Sequence, residues 1–207
     1  MDSYRQGILT IYNADCMDIM AQYADNYFDL AVVDPSYGIG ISNNPVRQKH
    51  AKKDWDNTTP NRNYFTQLFR VSKNQIVWGG NYFIEYLYNT QCFIVWDKKQ
   101  PHDFSLAMCE QAWTSFERPA KMFRYSVLKE KNKIHPTQKP VALYAWIYEN
   151  YADPGQRILD THLGSGSNAI AAHYAKMGKF VGCELDEDYY KASIERIAKE
   201  TRQLSLF

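Results

Sequence analysis

Arg157-Ile158-Leu159-Asp160-Thr161-His162-Leu163-Gly164-Ser165-Gly166-Ser167 is the stretch from which the rest of the chain can be read. Its first four residues make a short apolar run that ends in an acid, the pattern of a buried strand. Gly164 and Gly166 allow the backbone to turn sharply and to approach a ligand closely. A helical pattern runs from Asn168 to Met177, and a helix N-terminus presents free N–H groups. A second strand pattern, Phe180-Val181-Gly182-Cys183, ends at Glu184. An acid about 20 residues after a glycine turn, on the next strand, is where nucleotide-binding sheets hold a ribose diol. A lone Gly-x-Gly is a weak signal. A strand before it, a helix after it and an acid beyond it make a cofactor cradle. The third glycine of the dinucleotide fingerprint is missing, and there is no Gly-Lys-Ser/Thr phosphate loop, so NAD and ATP fit poorly.

Upstream, Asp34-Pro35-Ser36-Tyr37 follows the apolar run Phe28-Asp29-Leu30-Ala31-Val32-Val33. A strand ending in an acid, a proline and an aromatic suits a planar amine. The acid accepts a hydrogen bond from the amine. The proline lacks a backbone donor and leaves its carbonyl as a second acceptor. The tyrosine offers a ring face. Read alone, Asp-Pro is also a common turn opener; the cradle downstream favours the chemical reading.

These two segments resemble the amino-methyltransferases that act on exocyclic nitrogens of DNA bases. Asp34 to Tyr37 resembles their Asp-Pro-Pro-Tyr motif, with Ser36 for the second proline. Asp160 to Ser167 resembles their Asp-Pro-Phe-x-Gly-Ser-Gly motif, which binds S-adenosylmethionine. Thr161 replaces the proline, His162 the phenylalanine and Ser167 the usual threonine. His162 therefore reads as a packing residue rather than a base. Lys133-Ile134-His135-Pro136-Thr137-Gln138-Lys139-Pro140 resembles the His-Pro-Thr-Gln-Lys-Pro element, which implies Thr137 and Lys139 near the methionine carboxylate of the cofactor. Pro140 also suits a helix start. Ile11-Tyr12-Asn13-Ala14-Asp15-Cys16 resembles the Gly-Asp-Cys element, whose acid bonds the cofactor's adenine; Asp15 is equally a helix N-cap.

The resemblance thus implies catalysis by Asp34, the Pro35 carbonyl and Tyr37, with Ser36 beside the substrate. It implies a cofactor held by Asp15, Cys16, Thr137, Lys139, Asp160, Gly164, Ser165, Gly166 and Glu184. The catalytic element precedes the cofactor element, which resembles the permuted beta group and its short phage and prophage enzymes on adenine N6. Their fold is the Rossmann-like methyltransferase fold. The sulfonium is already activated, so no metal is expected.

Composition agrees. With 207 residues and 45% hydrophobic content, the chain buries one sizeable core as a single domain, residues 1–207. Cys16, Cys92, Cys109 and Cys183 are scattered without metal-ligand spacing and read as buried thiols in a reducing, cytoplasmic setting. No signal peptide or membrane span is visible. Strand and helix patterns alternate, which predicts an α/β three-layer sandwich with a mostly parallel sheet. Helix–strand repeats should continue through Trp96, followed by an antiparallel pair near 111–116 and 121–125, and helices over 140–152 and 187–199.

A net charge of +1 does not by itself announce a nucleic-acid binder. Clusters are more suggestive. Arg47-Gln48-Lys49-His50-Ala51-Lys52-Lys53 and the stretch holding Lys121 and Arg124 can neutralise phosphates, or can be solvated surface. Residues 38–61 are too long for a mere connection and read as a mobile flap, with Trp55 as a wedge or a packing anchor. The tail Gln203-Leu204-Ser205-Leu206-Phe207 resembles the peptide that docks bacterial proteins on a replication sliding clamp; packing on the core is the alternative. Three readings of function stand: a DNA amino-methyltransferase, first on adenine N6; a methyltransferase of cytosine N4 or of another amine in RNA or protein; and a non-catalytic DNA-binding module, suggested by Ser36, Thr161 and His162.

Overall fold

A computed structural model of the chain describes residues 2–41, 56–101, 107–130 and 133–202. Strand β3 (Phe28–Val33) shows why the sequence folds into layers. Its side chains alternate between faces, as strand geometry requires. Leu30 and Val32 enter one apolar cluster, with Leu143 and Ile147 of α3 (Val141–Tyr151) and Ala169 and Ile170 of α4 (Ser167–Tyr174). Ala31 and Val33 enter the other, with Ile19 and Met20 of α1 (Cys16–Met20) and Phe65 and Leu68 of α2 (Arg62–Val71). Helices cover both faces, so β3 reads as a nearly continuous apolar run rather than an alternation. Each buried Leu or Val contributes about 1.5–3 kcal/mol. The expected three-layer α/β sandwich is thus present.

The sheet order is β1-β2-β9-β8-β3-β4-β6-β5-β7. The remaining strands are β1 (Asp2–Gln6), β2 (Leu9–Asn13), β4 (Ser72–Trp78), β5 (Phe93–Asp97), β6 (Cys109–Thr114), β7 (Lys121–Arg124), β8 (Arg157–Asp160) and β9 (Lys179–Glu184). Among the described strands, only β1 and β6 run against the others. The closing helix α5 (Glu187–Glu200) packs Tyr190 and Ile197 onto the first cluster.

Three expectations are corrected. The predicted antiparallel pair is absent: β5 lies between β6 and β7, antiparallel to the first and parallel to the second. The stretch between β4 and β5 holds a 3-10 turn, Gly80–Tyr82, instead of a full helix. Cys109 is exposed and Cys16 half-buried, while Cys92 and Cys183 are buried. An N-terminal hairpin was also not foreseen. β1 is a mostly exposed, polar edge strand joined to β2 through Gly7 at φ +55°, so it carries no apolar alternation.

Candidate active site

β8 and β3 are neighbours in the sheet, and their connections leave in opposite directions. β8 leads through α4 to β9 on one side; β3 leads to α2 and β4 on the other. Such a switch point opens a crevice at the carboxyl ends of the strands. A cleft of about 640 Å³ lies there. Asp34 from the end of β3, Gly164 and Ser165 after β8, and Glu184 at the end of β9 all line it. Two motifs more than a hundred residues apart therefore share one cavity.

In the cradle half the glycine turn meets the strand-end acid. Gly164 has φ +53° and its N–H donates to Glu184 Oε2 at 2.8 Å. Asp186 N–H donates to Oε1 at 3.0 Å. Each carboxylate oxygen accepts one of these bonds and retains a further lone pair for a hydroxyl. Burial pushes the Glu184 carboxyl up to about 7, against the lowering effect of those N–H groups. Ser165 is held by Arg196 of α5, whose Nη1 donates to the Ser165 carbonyl at 3.0 Å. Asp160 and Gly166, expected to touch the cofactor, do not line the cleft, and neither do Pro35 and Tyr37 of the base motif. Asp160 is buried and accepts from Asn168 Nδ2 at 2.9 Å and from His162 N–H at 3.1 Å, so it braces the loop from below. A Cβ on Gly166 would lie 2.9 Å from Ile197, so that glycine serves α5 packing and a left-handed backbone.

Asp15 is the N-cap of α1, accepting from Met17 N–H at 2.8 Å, and it also lines the cleft with Cys16. Burial, with Asp15 adding, pushes the Cys16 thiol up to about 12, so it is no nucleophile. Thr137 lines the cleft and pairs through Oγ1 with His135 Nδ1 at 3.0 Å. Leu185, missed in the sequence, lines the cleft beside Glu184 and is 72% exposed. The residues fit S-adenosylmethionine: an acid with lone pairs free for a ribose diol, an apolar wall for an adenine ring, and a hydroxyl for the amino-acid end. His162 also lines the cleft; burial lowers it to about 4, and its ring packs edge-on to Tyr64 at 5.5 Å.

The base half is more tightly bound up than the sequence suggested. Tyr37 Oη donates to Asp34 Oδ1 at 2.7 Å, and Lys139 Nζ donates to Oδ2. Lys139 is buried and also lies 3.0 Å from Glu110 Oε2. It lines the cleft, and its ammonium pairs with these two carboxylates. Burial raises the Asp34 carboxyl; Lys139 opposes this and Glu110 adds to it. The Tyr37 ring stacks on Tyr82 at 4.8 Å and 16°, so one of its faces is already covered. Ser36 Oγ donates to the Thr58 carbonyl at 2.8 Å. Asp56, which the sequence did not mark, is 1% exposed and holds the turn: it accepts from the N–H groups of Tyr37, Gly38 and Ile41 at 2.8, 3.0 and 2.8 Å.

A profile of the DNA methylase family, of the N6/N4 type, matches residues 90–195. The chain belongs to that family. Across the whole methylase, YubD of Escherichia coli (strain K12), which bears the name of a methylase, is 26% identical over 211 residues, covering 92% of this chain and 90% of YubD. Two solved structures share the fold. The M1.HpyAVI–SAM complex superposes with a TM-score of 0.63 at 18% identity, covering 91% of this chain and 98% of that one. The PvuII DNA methyltransferase, described as cytosine-N4-specific, gives 0.65 at 12% identity, covering 93% and 90%.

The proposed DNA contacts divide. Lys49, Lys52, Lys53 and Trp55 lie outside the described residues, as does the tail 203–207. Lys121 begins β7 and bonds Asn150 Oδ1 at 2.6 Å near the end of α3, so it sits at the amino end of the parallel strands, away from the cleft. Arg124 ends β7 on the cleft side, but on the far edge strand, four strand spacings or roughly 19 Å from β3. No described helix is long and apolar enough to cross a membrane.

Proposed function

We propose that this methylase transfers a methyl group from S-adenosylmethionine to the exocyclic amine of a flipped base in DNA, adenine N6 first among them. The observation that carries the proposal is the shared cleft: the amine acceptor Asp34 and the cofactor cradle of Gly164 and Glu184 open on one cavity. The exocyclic nitrogen is a poor nucleophile because its lone pair is delocalised into the ring. Asp34 and the Pro35 carbonyl accept its two hydrogens and draw it toward tetrahedral geometry. Bound in the cradle, the cofactor supplies an activated methyl. What the protein contributes is alignment of the nitrogen and electrostatic stabilisation as it becomes cationic. The base leaves the duplex to reach Asp34 and stacks on the Tyr37 face opposite Tyr82. Asp34 needs no unusual basicity, because the nitrogen turns acidic as it is methylated. The strand order, with the amine element before the cradle, supports the beta-group arrangement.

The acid at the first motif position favours adenine. The resemblance in fold to the cytosine-N4-specific PvuII enzyme favours the second reading, cytosine N4. Nucleoside mass spectrometry of unmethylated genomic DNA after reaction decides between them. N6-methyladenine is expected; N4-methylcytosine alone would transfer the assignment to cytosine. Asp34→Ala should abolish transfer in a radiolabelled-methyl assay and leave cofactor affinity nearly intact. The sliding-clamp reading of Gln203 to Phe207 rests on sequence resemblance, and comparing clamp binding with a chain ending at Arg202 tests it.

A further inference from the structure

We propose that Glu110 is a positioning residue that receives the Lys139 ammonium when a base amine claims Asp34, so that Lys139 works between two carboxylates. The inference rests on the reading of Asp34 as the amine acceptor. In the structure both Asp34 oxygens already accept hydrogen bonds, one from Tyr37 and one from Lys139. Each oxygen keeps a further lone pair, but an incoming amine shares the charge of Asp34 with these donors, and a donor whose bond loosens needs another acceptor.

Lys139 cannot retreat to water. Its side chain is 3% exposed, with Nζ 5.3 Å from the Trp78 ring centroid and 5.8 Å from that of Tyr37. A buried ammonium without a partner is strongly unfavourable. Glu110 Oε2 is buried and already lies 3.0 Å away as an ion-pair partner, though no well-aligned hydrogen bond reaches it among the described residues. Distance is satisfied and alignment is not. A small rotation at the end of the lysine side chain turns an N–H onto this oxygen. Glu110 is prepared for the role. Lys98 Nζ holds its other oxygen at 2.5 Å. Lys98 follows β5, and Glu110 on β6 is paired in register with Trp96, so the two are fixed by the strand ladder. Despite burial, Lys139 and Lys98 keep the Glu110 carboxyl down near 2, so it is an anion. The cluster has two ammonium groups and two carboxylates, and the exchange leaves that balance intact. It moves no proton and breaks no covalent bond; one N–H···O bond replaces another while Asp34 turns to the base.

The test compares methyl transfer to unmethylated double-stranded genomic DNA by the intact protein and four variants, with cofactor binding followed by calorimetry. Glu110→Gln keeps the shape and removes the charge, leaving the ammonium locked on Asp34. Its kcat should fall about 10- to 100-fold, the scale of a misplaced catalytic group, while cofactor affinity is unchanged. Lys139→Met should also be slow. The double variant should match Lys139→Met within about twofold, because Glu110 acts only through Lys139. A kcat for Glu110→Gln equal to that of the intact protein would overturn the proposal, and so would losses that multiply in the double variant. Should Glu110→Gln fail to bind cofactor, Glu110→Asp, which keeps the charge but withdraws it by one methylene, gives the same reading with a smaller loss. Asp34→Ala separates the two levels. Full activity there removes the acceptor assignment itself; an inactive Asp34→Ala beside a normal Glu110→Gln removes only the exchange.

Discussion

Lowering the pH from 8 to 6 should weaken binding of S-adenosylmethionine about tenfold, through Glu184. The carboxyl is raised to about 7 because it is buried, and two backbone N–H groups do not offset that burial. A ribose diol donates hydrogen bonds and so favours the carboxylate form. With a pKa near 7, about nine-tenths of Glu184 is ionised at pH 8 and about one-tenth at pH 6, a tenfold difference in binding-competent protein. Fold stability runs the other way. A carboxyl raised in the folded state contributes stability below its unfolded value, and loses it as the pH rises through about 7. Cofactor binding and apparent stability should therefore respond to pH with opposite signs. Titration calorimetry at pH 6, 7 and 8, in two buffers of different ionisation enthalpy, reads both affinity and proton release. About one proton should leave on binding at pH 6. Glu184→Gln should bind about 1–3 kcal/mol more weakly at pH 8 and lose most of the pH slope. Affinity that stays flat from pH 6 to 8, or a slope retained in Glu184→Gln, would refute the assignment.

Two further substitutions probe the base half. Asp56→Ala leaves three N–H groups of the turn after Asp34 without their acceptor, and should cost about 1–3 kcal/mol of stability by thermal melting, with a fall in kcat larger than any change in cofactor affinity. Gly79→Ala should destabilise by more than about 1 kcal/mol, since Gly79 has φ +71° and a Cβ there would stand 2.2 Å from the Tyr37 ring; its activity should drop with Tyr37 displaced.

How much of this was legible in the sequence depends on the range of the interaction. The cradle was legible because its chemistry is local: Gly164 needs a left-handed turn, and Glu184 must end the next strand. The same holds for Asp34 and Tyr37. Even there, burial divided the roles, since Asp160 and Gly166 belong to the motif yet support it from beneath. Lys139 pairs with Asp34 across 105 positions, and Glu110 and Lys98 reach it only through the β5–β6 ladder. No spacing rule encodes those contacts. Asp56 looked like any polar loop residue, and only its burial against three N–H groups marks it. The order of β5, β6 and β7 depends on pairing partners and not on the apolar content of each strand, so the wrong neighbours were paired. The polar edge strand β1 left no pattern to read.

The base half of the cleft faces two opposed requirements. A good amine acceptor should be an anion, and an anion in this buried place tends to take up a proton. Lys139 works toward the first requirement by opposing the burial that raises Asp34. A lysine paired with one buried carboxylate alone would be hard to displace, since the low-dielectric surroundings that raise Asp34 also strengthen the pair. Glu110 alters that balance. It competes for the same ammonium, so the grip of Lys139 on Asp34 is weaker than in an isolated pair, while Asp34 still has a cation beside it. Tyr37 contributes in the same sense, since its hydroxyl donates to Asp34 and can turn away without leaving a charge behind. In the resting site Asp34 thus already accepts from two of the protein's own donors. A group that offers only acceptors cannot replace them, because Asp34 would then face a lone pair. On the proposed reading of Asp34 as amine acceptor, this arrangement favours a group that brings its own N–H.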